Sequence, residues 1–368
     1  MATMQDAIIF GFDSAWTDNP RAPGAICAIR FDTAGQSTLL EPRLVSFSDA
    51  LAFIEAERQG YAFSLVALDQ PTIVPNARGS RPVDKVAASL ISYIGGGVQP
   101  ANRGKATMFG EDAPVWKFLS ALAARQDPRV AQTEEAGHFL IEVFPALALP
   151  ALGPSFARRL GAPKYNPANR GKFRLEDWRA VSSAVAKTAS SLDLAGLAQW
   201  ADQMQALEKP GKADQDRLDA AICALIGLLW REAGQPSAML GDLETGYMIT
   251  PLSGATRHRL EQAALDKQVD FLAPLQQKTL GNWRRTRAPY RPAPLYKDYS
   301  RRRSPDAGIS ATCMNAGMAE NNGQRWGKPV CPAERSGRPV MMRSERASVP
   351  PTFRRCRECN PPPEAGNT

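Results

Sequence analysis

Acidic residues end or interrupt three apolar runs of the sequence. Asp13 follows the run IIFGF, Asp69 follows SLVAL, and Glu142 lies inside HFLIEVF. Each run has the length and composition of a buried strand. An unpaired buried carboxylate is costly, so each of these acids requires a partner, solvent or a bound cation.

Two further acids lie at the start of the strongest helical pattern in the chain, DQDRLDAAICALIGLLWREAG. Asp216 and Asp219 are three residues apart and therefore share a helix face, and Asp219 leads into the apolar stripe expected to pack on a sheet. Sites in α/β proteins form at the carboxyl ends of strands. We therefore expect Asp13, Asp69, Glu142 and Asp219 to form a catalytic group.

Carboxylates that lie close together need protons or cations to offset their mutual repulsion. Two like charges about 4 Å apart repel by roughly 4 kcal/mol at an effective dielectric of about 20. Such a cluster persists only with altered protonation or with bound cations, and oxygen-only ligands suit Mg²⁺ or Mn²⁺. The pattern predicts a divalent-metal site with Asp13, Asp69, Asp219 and Asp216 as ligands.

Each acid also has a structural alternative. Asp13 could cap the turn that follows it, and Asp69 could stabilise the turn at Gln-Pro. Glu142 could pair with an arginine, and Asp216 fits a helix cap better than a metal ligand. The sequence leaves these alternatives open.

The hexapeptide PANRGK occurs twice, at residues 100–105 and 167–172. The copies could provide paired contacts to phosphates, or they could be two exposed turns of similar composition. On the first interpretation Arg103 and Arg170, together with Arg81, are the candidate phosphate-binding residues. Arg81 and Arg170 are also the arginines considered as partners for Glu142.

The order of apolar segments predicts an α/β domain over residues 1–274. It begins with three strands, a helix and a fourth strand, continues with an insertion at about residues 72–137, and then adds the strand of Glu142. The predicted strands are residues 7–12, 25–31, 38–47, 64–69 and 138–144.

The basic character of the chain belongs to its C-terminal part. The net charge is +8, and residues 275–368 contain 18 Lys and Arg against 7 Asp and Glu, which gives +11 there and leaves −3 for residues 1–274. Residues 275–368 are rich in Arg, Pro, Gly and Ser, and we predict them to be disordered. Their Cys356-x-x-Cys359 pair lacks a second matching pair, so a zinc site is not favoured.

No apolar run approaches the roughly 20 residues needed to span a bilayer. The N-terminal residues lack the basic region and cleavage pattern of a signal peptide. The sequence therefore predicts a cytoplasmic protein that does not associate with membranes.

Five motifs in order carry a family resemblance: FGFDSAW, VALDQP followed by N-x-x-G-x-R, IEVFPAL, D-x-x-LDAAICAL and GYMITP. Together they cover about residues 6–252 and resemble the domain of unknown function 429 family, which is described as predicted nucleases of RNase H-like fold. The resemblance implies a mixed five-stranded sheet with its first three strands antiparallel, surrounding helices, and a large insertion between strands four and five.

The resemblance also implies roles for the acids. It places Asp13 at the first-strand aspartate, Asp69 at the fourth-strand position and Asp219 at the acid of the last helix. The spacing of Asp216 and Asp219 is similar to that of Holliday-junction resolvases of the same superfold. Glu142 matches the E-x-x-P motif of the family, where it could be a ligand, a substrate contact or a structural residue.

The expected function is hydrolysis of nucleic-acid phosphodiester bonds with Mg²⁺ or Mn²⁺. In this hypothesis Asp13 and Asp219 hold an ion that activates water, and Asp13 and Asp69 hold one that stabilises the leaving oxygen. A non-catalytic binding module of the same fold is an alternative. An actin-like ATPase or kinase is disfavoured, because neither aspartate of the strand ends is followed by a Gly/Thr-rich phosphate loop.

Overall fold

The structure is a computed structural model that describes residues 6–14, 16–232 and 234–274. The predicted disordered segment 275–368 and its cysteines lie outside the described residues. Five strands form the central sheet: β1 Ala7–Asp13, β2 Gly24–Phe31, β3 Ser37–Val45, β4 Phe63–Asp69 and β5 Gly137–Glu142.

The strand order is β3-β2-β1-β4-β5. β1, β2 and β3 pair antiparallel, whereas β4 pairs parallel to both β1 and β5. The predicted mixed sheet, with its first three strands antiparallel, is confirmed. The carboxyl ends of β1, β4 and β5 consequently meet at one edge, where polar side chains can converge.

Ten helices are found within the described residues: α1 Phe47–Glu57, α2 Pro82–Tyr93, α3 Ala106–Phe109, α4 Pro114–Leu122, α5 Pro128–Thr133, α6 Pro145–Leu152, α7 Leu175–Ser191, α8 Ala195–Ala206, α9 Lys212–Arg231 and α10 Gly254–Lys267. Helices α2 to α5 occupy the connection between β4 and β5, which is the predicted insertion.

Helix α9 covers one face of the sheet and is the closest neighbour of β1 and β2 among the helices. Small residues allow this approach. A Cβ atom on Gly11 of β1 would lie 2.1 Å from the Ala220 carbonyl oxygen, and one on Gly227 of α9 would lie 3.0 Å from Ile9. Helices α7 and α8 pack outside α9 and complete the larger apolar core.

The opposite face of the sheet is covered by α1 and α4. Phe12 of β1 contacts Phe47 of α1 and Phe118 of α4, with ring centroids 5.7 and 5.4 Å away. Ser46 caps the N-terminus of α1 and forms a capping box with Asp49.

A second sheet, in the order β7-β6-β8, is formed by β6 Ser237–Asp242, β7 Gly246–Pro251 and β8 Phe271–Leu272. It packs with α2, α6 and α10 around its own apolar cluster. The motif GYMITP forms β7. The strands β6 and β8 and the helix α10 were not predicted. No helix of the described residues has the length and apolarity needed to cross a bilayer.

Candidate active site

Asp13 and Asp69 lie side by side at the ends of the two central strands. They are register partners in the parallel pair of β1 and β4. Asp13 is four residues after Ile9 and Asp69 is two residues after Ala67, and both apolar residues pack against α9; side chains an even number of residues apart share a strand face, so both carboxylates leave the sheet on the α9 face. The predicted convergence of these two acids is thus provided by the register of the sheet.

Helix α9 brings two more acids to this edge. Ala220 and Ala224 contact Gly11, two residues before Asp13, and this contact places the first turns of α9 beside the strand end. Asp216 and Asp219 are both buried there, at 8% and 6% exposure. Asp13, Asp69, Asp216 and Asp219 are called the carboxylate cluster below.

The negative charges of the carboxylate cluster repel one another. Burial, followed by the charges of Asp219, Asp69 and Asp216, raises the pKa of Asp13 well above its ordinary value. Burial and the charges of Asp219 and Glu142 raise the pKa of Asp69 in the same way. Within the described residues, no protein donor is hydrogen-bonded to the side-chain carboxylate of Asp13 or of Asp69; the Ser14 hydroxyl donates only to the backbone carbonyl oxygen of Asp69. Neither hydrogen bonds nor nearby positive charge therefore fully offsets the burial and the mutual repulsion of these two carboxylates.

Asp219 is held by two donors. The Tyr165 hydroxyl donates to its Oδ1 over 2.7 Å, and the Gln215 amide donates to its Oδ2. Burial raises the pKa of Asp219 to about 6, although both hydrogen bonds and Lys212 oppose the rise. The other amide atom, Gln215 Oε1, is buried without a hydrogen-bond partner.

The sequence favoured Asp216 as the N-terminal cap of α9, but Asp216 does not have this role. The capping role belongs to Asp214, which accepts a hydrogen bond from the Gly211 amide at the N-terminus of the helix. Asp216 lies in the second turn and pairs with Lys212 four residues earlier. Lys212 also interacts electrostatically with Asp13 and Asp219, and these anions, led by Asp216, outweigh burial and raise its pKa.

Glu142 does not join the cluster as a free carboxylate. Its register partner is Leu68, which packs on the face opposite α9, so the Glu142 side chain leaves the sheet away from Asp13 and Asp69. Arg81 donates to Glu142 Oε1 and Oε2 over 2.6 and 2.9 Å, and the Thr72 amide donates to Oε2 over 2.8 Å. These contacts are those of the structural alternative, in which Glu142 pairs with an arginine, and a catalytic role of Glu142 stays a prediction that they do not support.

Arg81 is likewise committed to the interior. Its side chain is fully buried and is shared between Glu142 and Asp84. It also donates to the Ile73 carbonyl oxygen over 3.0 Å. Because every side of the guanidinium is occupied, Arg81 acts as a structural cation that joins α2 to β5. A phosphate contact at this position stays a prediction that these contacts do not support.

The two arginines of the PANRGK copies differ in their surroundings. Arg103 donates to the Val74 and Phe109 carbonyl oxygens and stacks over Trp116, so it fixes the loop that contains it. Arg170 is exposed and makes no hydrogen bond or ion pair within the described part of the chain. It follows Tyr165 by five residues in the loop that reaches Asp219.

Tyr165 and Lys212 are site residues that the sequence analysis missed. Lys212 could have been found from its position, since a lysine four residues before an acid on one helix face pairs with it. Nothing in the sequence marks Tyr165, because it lies in a loop 54 residues before Asp219, with α7 and α8 between them.

The carboxylate cluster offers oxygen atoms only, which are the ligands that hard divalent cations take, and two of its carboxylates lack protein hydrogen-bond donors among the described residues. Among the residues described, no three His, Cys, Asp or Glu side chains are closely enough arranged to form a ready-made metal site. With Lys212 among the acids, a metal would have to displace its ammonium group or share the cluster with it.

The fold and the site together define an α/β protein with a mixed sheet and a carboxylate cluster at the ends of its central strands. The model of the family described as "Protein of unknown function (DUF429)" matches residues 11–245. The chain belongs to this family. Comparisons with curated proteins and with solved structures find no match.

Proposed function

We propose that this protein is a nuclease that hydrolyses phosphodiester bonds with the help of Mg²⁺ or Mn²⁺. The observation that carries the proposal is the pairing of Asp13 with Asp69, two largely buried carboxylates without protein donors at the end of β1 and β4. A cation compensates such a pair directly, and a phosphodiester is the substrate class for which carboxylate-held Mg²⁺ is the common catalyst.

The residues have distinct roles in this proposal. Asp13 and Asp69 would hold the metal, with Asp219 and Asp216 as the further carboxylates available to it. When bound, such an ion supplies an activated water and stabilises the charge on the leaving oxygen. Tyr165 orients Asp219 by its hydrogen bond to Oδ1. Lys212 supplies positive charge beside the anions of the cluster.

Arg170 is the arginine best placed to contact the nucleic-acid backbone. It is exposed in the loop that also provides Tyr165, so a phosphate bound by Arg170 would lie on the loop that reaches the cluster. Such a contact would orient the polymer without reading its sequence.

An ATPase or kinase of the actin-like class is less consistent with the strand ends. Ser14 Oγ, after β1, is hydrogen-bonded to Gln70, and Gln70 is fully buried after β4. The side chains that follow the two aspartates are thus engaged with each other, and neither stretch has the Gly/Thr-rich sequence of a phosphate loop.

The test is cleavage by the full-length protein of single-stranded and duplex DNA and RNA, with Mg²⁺, Mn²⁺ or EDTA. We expect metal-dependent cleavage that Asp13→Asn reduces about 1,000-fold or more. Asp202→Asn is the matched control, because Asp202 is exposed on α8 and makes no contact with the cluster. Wild-type rates in Asp13→Asn, or no cleavage of any polymer, would overturn the proposal.

A further inference from the structure

A pocket of about 210 Å³ opens beside the carboxylate cluster and shares Asp69 with it. It is called the side pocket below. Its walls are mostly apolar and come from the segment after β1, the insertion, the end of β5 and β7; they include Trp16, Val98, Met108, Phe144 and Met248. None of the residues discussed so far as part of the cluster, except Asp69, lines it.

The charges around the side pocket exclude a phosphate from its interior. Its lining contains Asp69, Asp84 and Glu142 and no Lys or Arg among the residues described. Arg81 balances Asp84 and Glu142 from behind, where its guanidinium is fully buried. An uncharged or weakly basic group is therefore accepted more readily than an anion.

The size and the lining of the side pocket favour one small ring system. Pockets for drug-sized molecules measure about 300–1,000 Å³, and the side pocket is smaller than that range. Trp16 offers an aromatic ring at the pocket, and nucleobases stack on such rings. Gln99 is exposed at the pocket; its Oε1 accepts a hydrogen bond from Lys105 Nζ over 3.3 Å, so its NH₂ group is the part that can donate to a base edge.

Trp16 is held in place by both strand ends of the cluster. Its backbone has a φ of 51°, a region that bulky residues rarely adopt. Ser14 Oγ accepts a hydrogen bond from the Trp16 amide over 3.3 Å and is itself bonded to Gln70, the residue after Asp69. The ring also packs edge-on against Phe109, with centroids 5.9 Å apart. Strained backbone that is fixed from several sides is typical of functional positions.

We infer that the side pocket binds the nucleobase of a nucleotide adjoining the scissile phosphate, so that the substrate must be unpaired at that position. The inference rests on the proposed function and adds its substrate class: single-stranded nucleic acid, or duplex with a base turned out of the stack. A paired base cannot enter, because its partner strand would occupy the same space as the pocket wall.

The first test measures cleavage. We expect the wild type to cut a single strand at least about tenfold faster than the same strand with an abasic site next to the cut, or than the matching duplex. Val98→Trp fills the side pocket, and it should remove the difference between base-bearing and abasic strands. Leu160→Trp is the control, because Leu160 is 72% exposed and does not line the pocket.

The second test measures binding without cleavage. In the Asp13→Asn background with Mn²⁺, a single strand containing 2-aminopurine should show quenched fluorescence on binding. Adding Trp16→Ala should weaken binding about tenfold and relieve the quenching, whereas Trp16→Phe should retain most of the affinity.

The outcomes separate the two proposals. Metal-dependent cleavage that is equal for base-bearing, abasic and duplex substrates, and unchanged in Val98→Trp, overturns the side-pocket inference and leaves the nuclease proposal standing. If the wild type cleaves none of the substrates, the nuclease proposal is overturned and this inference with it. Unquenched 2-aminopurine in the bound complex also counts against the pocket.

Discussion

Arg81 holds both carboxylate oxygens of Glu142 in the interior of the protein, at 2.6 and 2.9 Å. This ion pair fastens the start of α2 to the end of β5, and it separates Glu142 from the acids that remain available to a cation. A residue that the motif pattern grouped with the catalytic acids therefore supports the site from outside it.

Glu142→Gln is expected to destabilise the protein without weakening metal binding. Removing one charge of a buried ion pair leaves Arg81 with Asp84 alone, which costs about 3 kcal/mol of unfolding free energy. The measurements are urea unfolding and Mn²⁺ affinity by calorimetry. Glu134→Gln, at the exposed end of α5, is the control. A large loss of Mn²⁺ affinity with unchanged stability would restore Glu142 as a ligand.

Gly11→Ala is expected to destabilise the protein far more than the addition of one methyl group suggests. The added Cβ would lie 2.1 Å from the Ala220 carbonyl oxygen and 2.3 Å from the Ala224 amide nitrogen, both of which are backbone atoms that cannot rotate away. We expect a loss of about 3 kcal/mol or more in unfolding free energy. The measurement is thermal denaturation of this variant and of Gly171→Ala as the control. No atom lies within 4 Å of a Cβ built on Gly171, so the control should have almost no effect.

The carboxylate cluster should make the metal-free protein less stable as the pH rises. The folded protein holds the Asp219 proton up to a pKa of about 6, above the ordinary value of 3.8, so folding binds protons in this window. The contribution of Asp219 to stability is therefore present below about pH 4 and is lost as the pH rises through 6. His138, whose pKa burial lowers to about 4, acts in the opposite direction over part of the same range.

The quantity to measure is thus the difference in melting temperature between Asp219→Asn and the wild type in EDTA. We expect this difference to grow in favour of the variant from pH 4 to pH 7. Mn²⁺ should stabilise the wild type more at pH 7.5 than at pH 5, because the metal competes with protons for the carboxylates. A difference that is constant with pH would contradict a repulsive cluster.

Tyr165→Phe should shift the pH dependence of metal binding while leaving the fold intact. The Tyr165 hydroxyl stabilises the charged form of Asp219, so its removal raises the pKa of Asp219 further. We expect Mn²⁺ affinity about tenfold weaker at pH 6, with much of the loss recovered at pH 8. Tyr61→Phe, remote from the cluster in the α1–β4 connection, is the control. A loss of affinity that is equal at both pH values would assign Tyr165 a different role.

The sequence predicted the parts of the site that depend on regular structure. Apolar runs identified the strands, and the position of Asp13 and Asp69 at the strand ends was enough to bring them to one edge. The helix period placed Asp219 on the face that packs on the sheet. These features follow local rules, which a single sequence expresses well.

The remaining features depend on contacts between distant segments. The burial of Arg81 and its capture of Glu142 require α2 to turn back onto β5, and no local pattern encodes that turn. The same holds for Tyr165, which reaches Asp219 from a loop. The strands β6 and β8 were missed because the apolar part of β6 is short, with Ser237 and Asp242 at its two ends, and β8 has only two residues. Their stability comes from tertiary packing rather than from local propensity.

The packing of α9 on β1 means that the carboxylate cluster is completed late during synthesis of the chain. The ribosome makes Asp13 and Asp69 early, but the helix that carries Asp216 and Asp219 follows more than 140 residues after β4. A nascent chain that has formed the central strands still lacks half of its carboxylate cluster, and the Gly11 surface of β1 awaits its partner helix. Whatever chemistry the site performs, the growing chain acquires it only when α9 leaves the ribosome and docks.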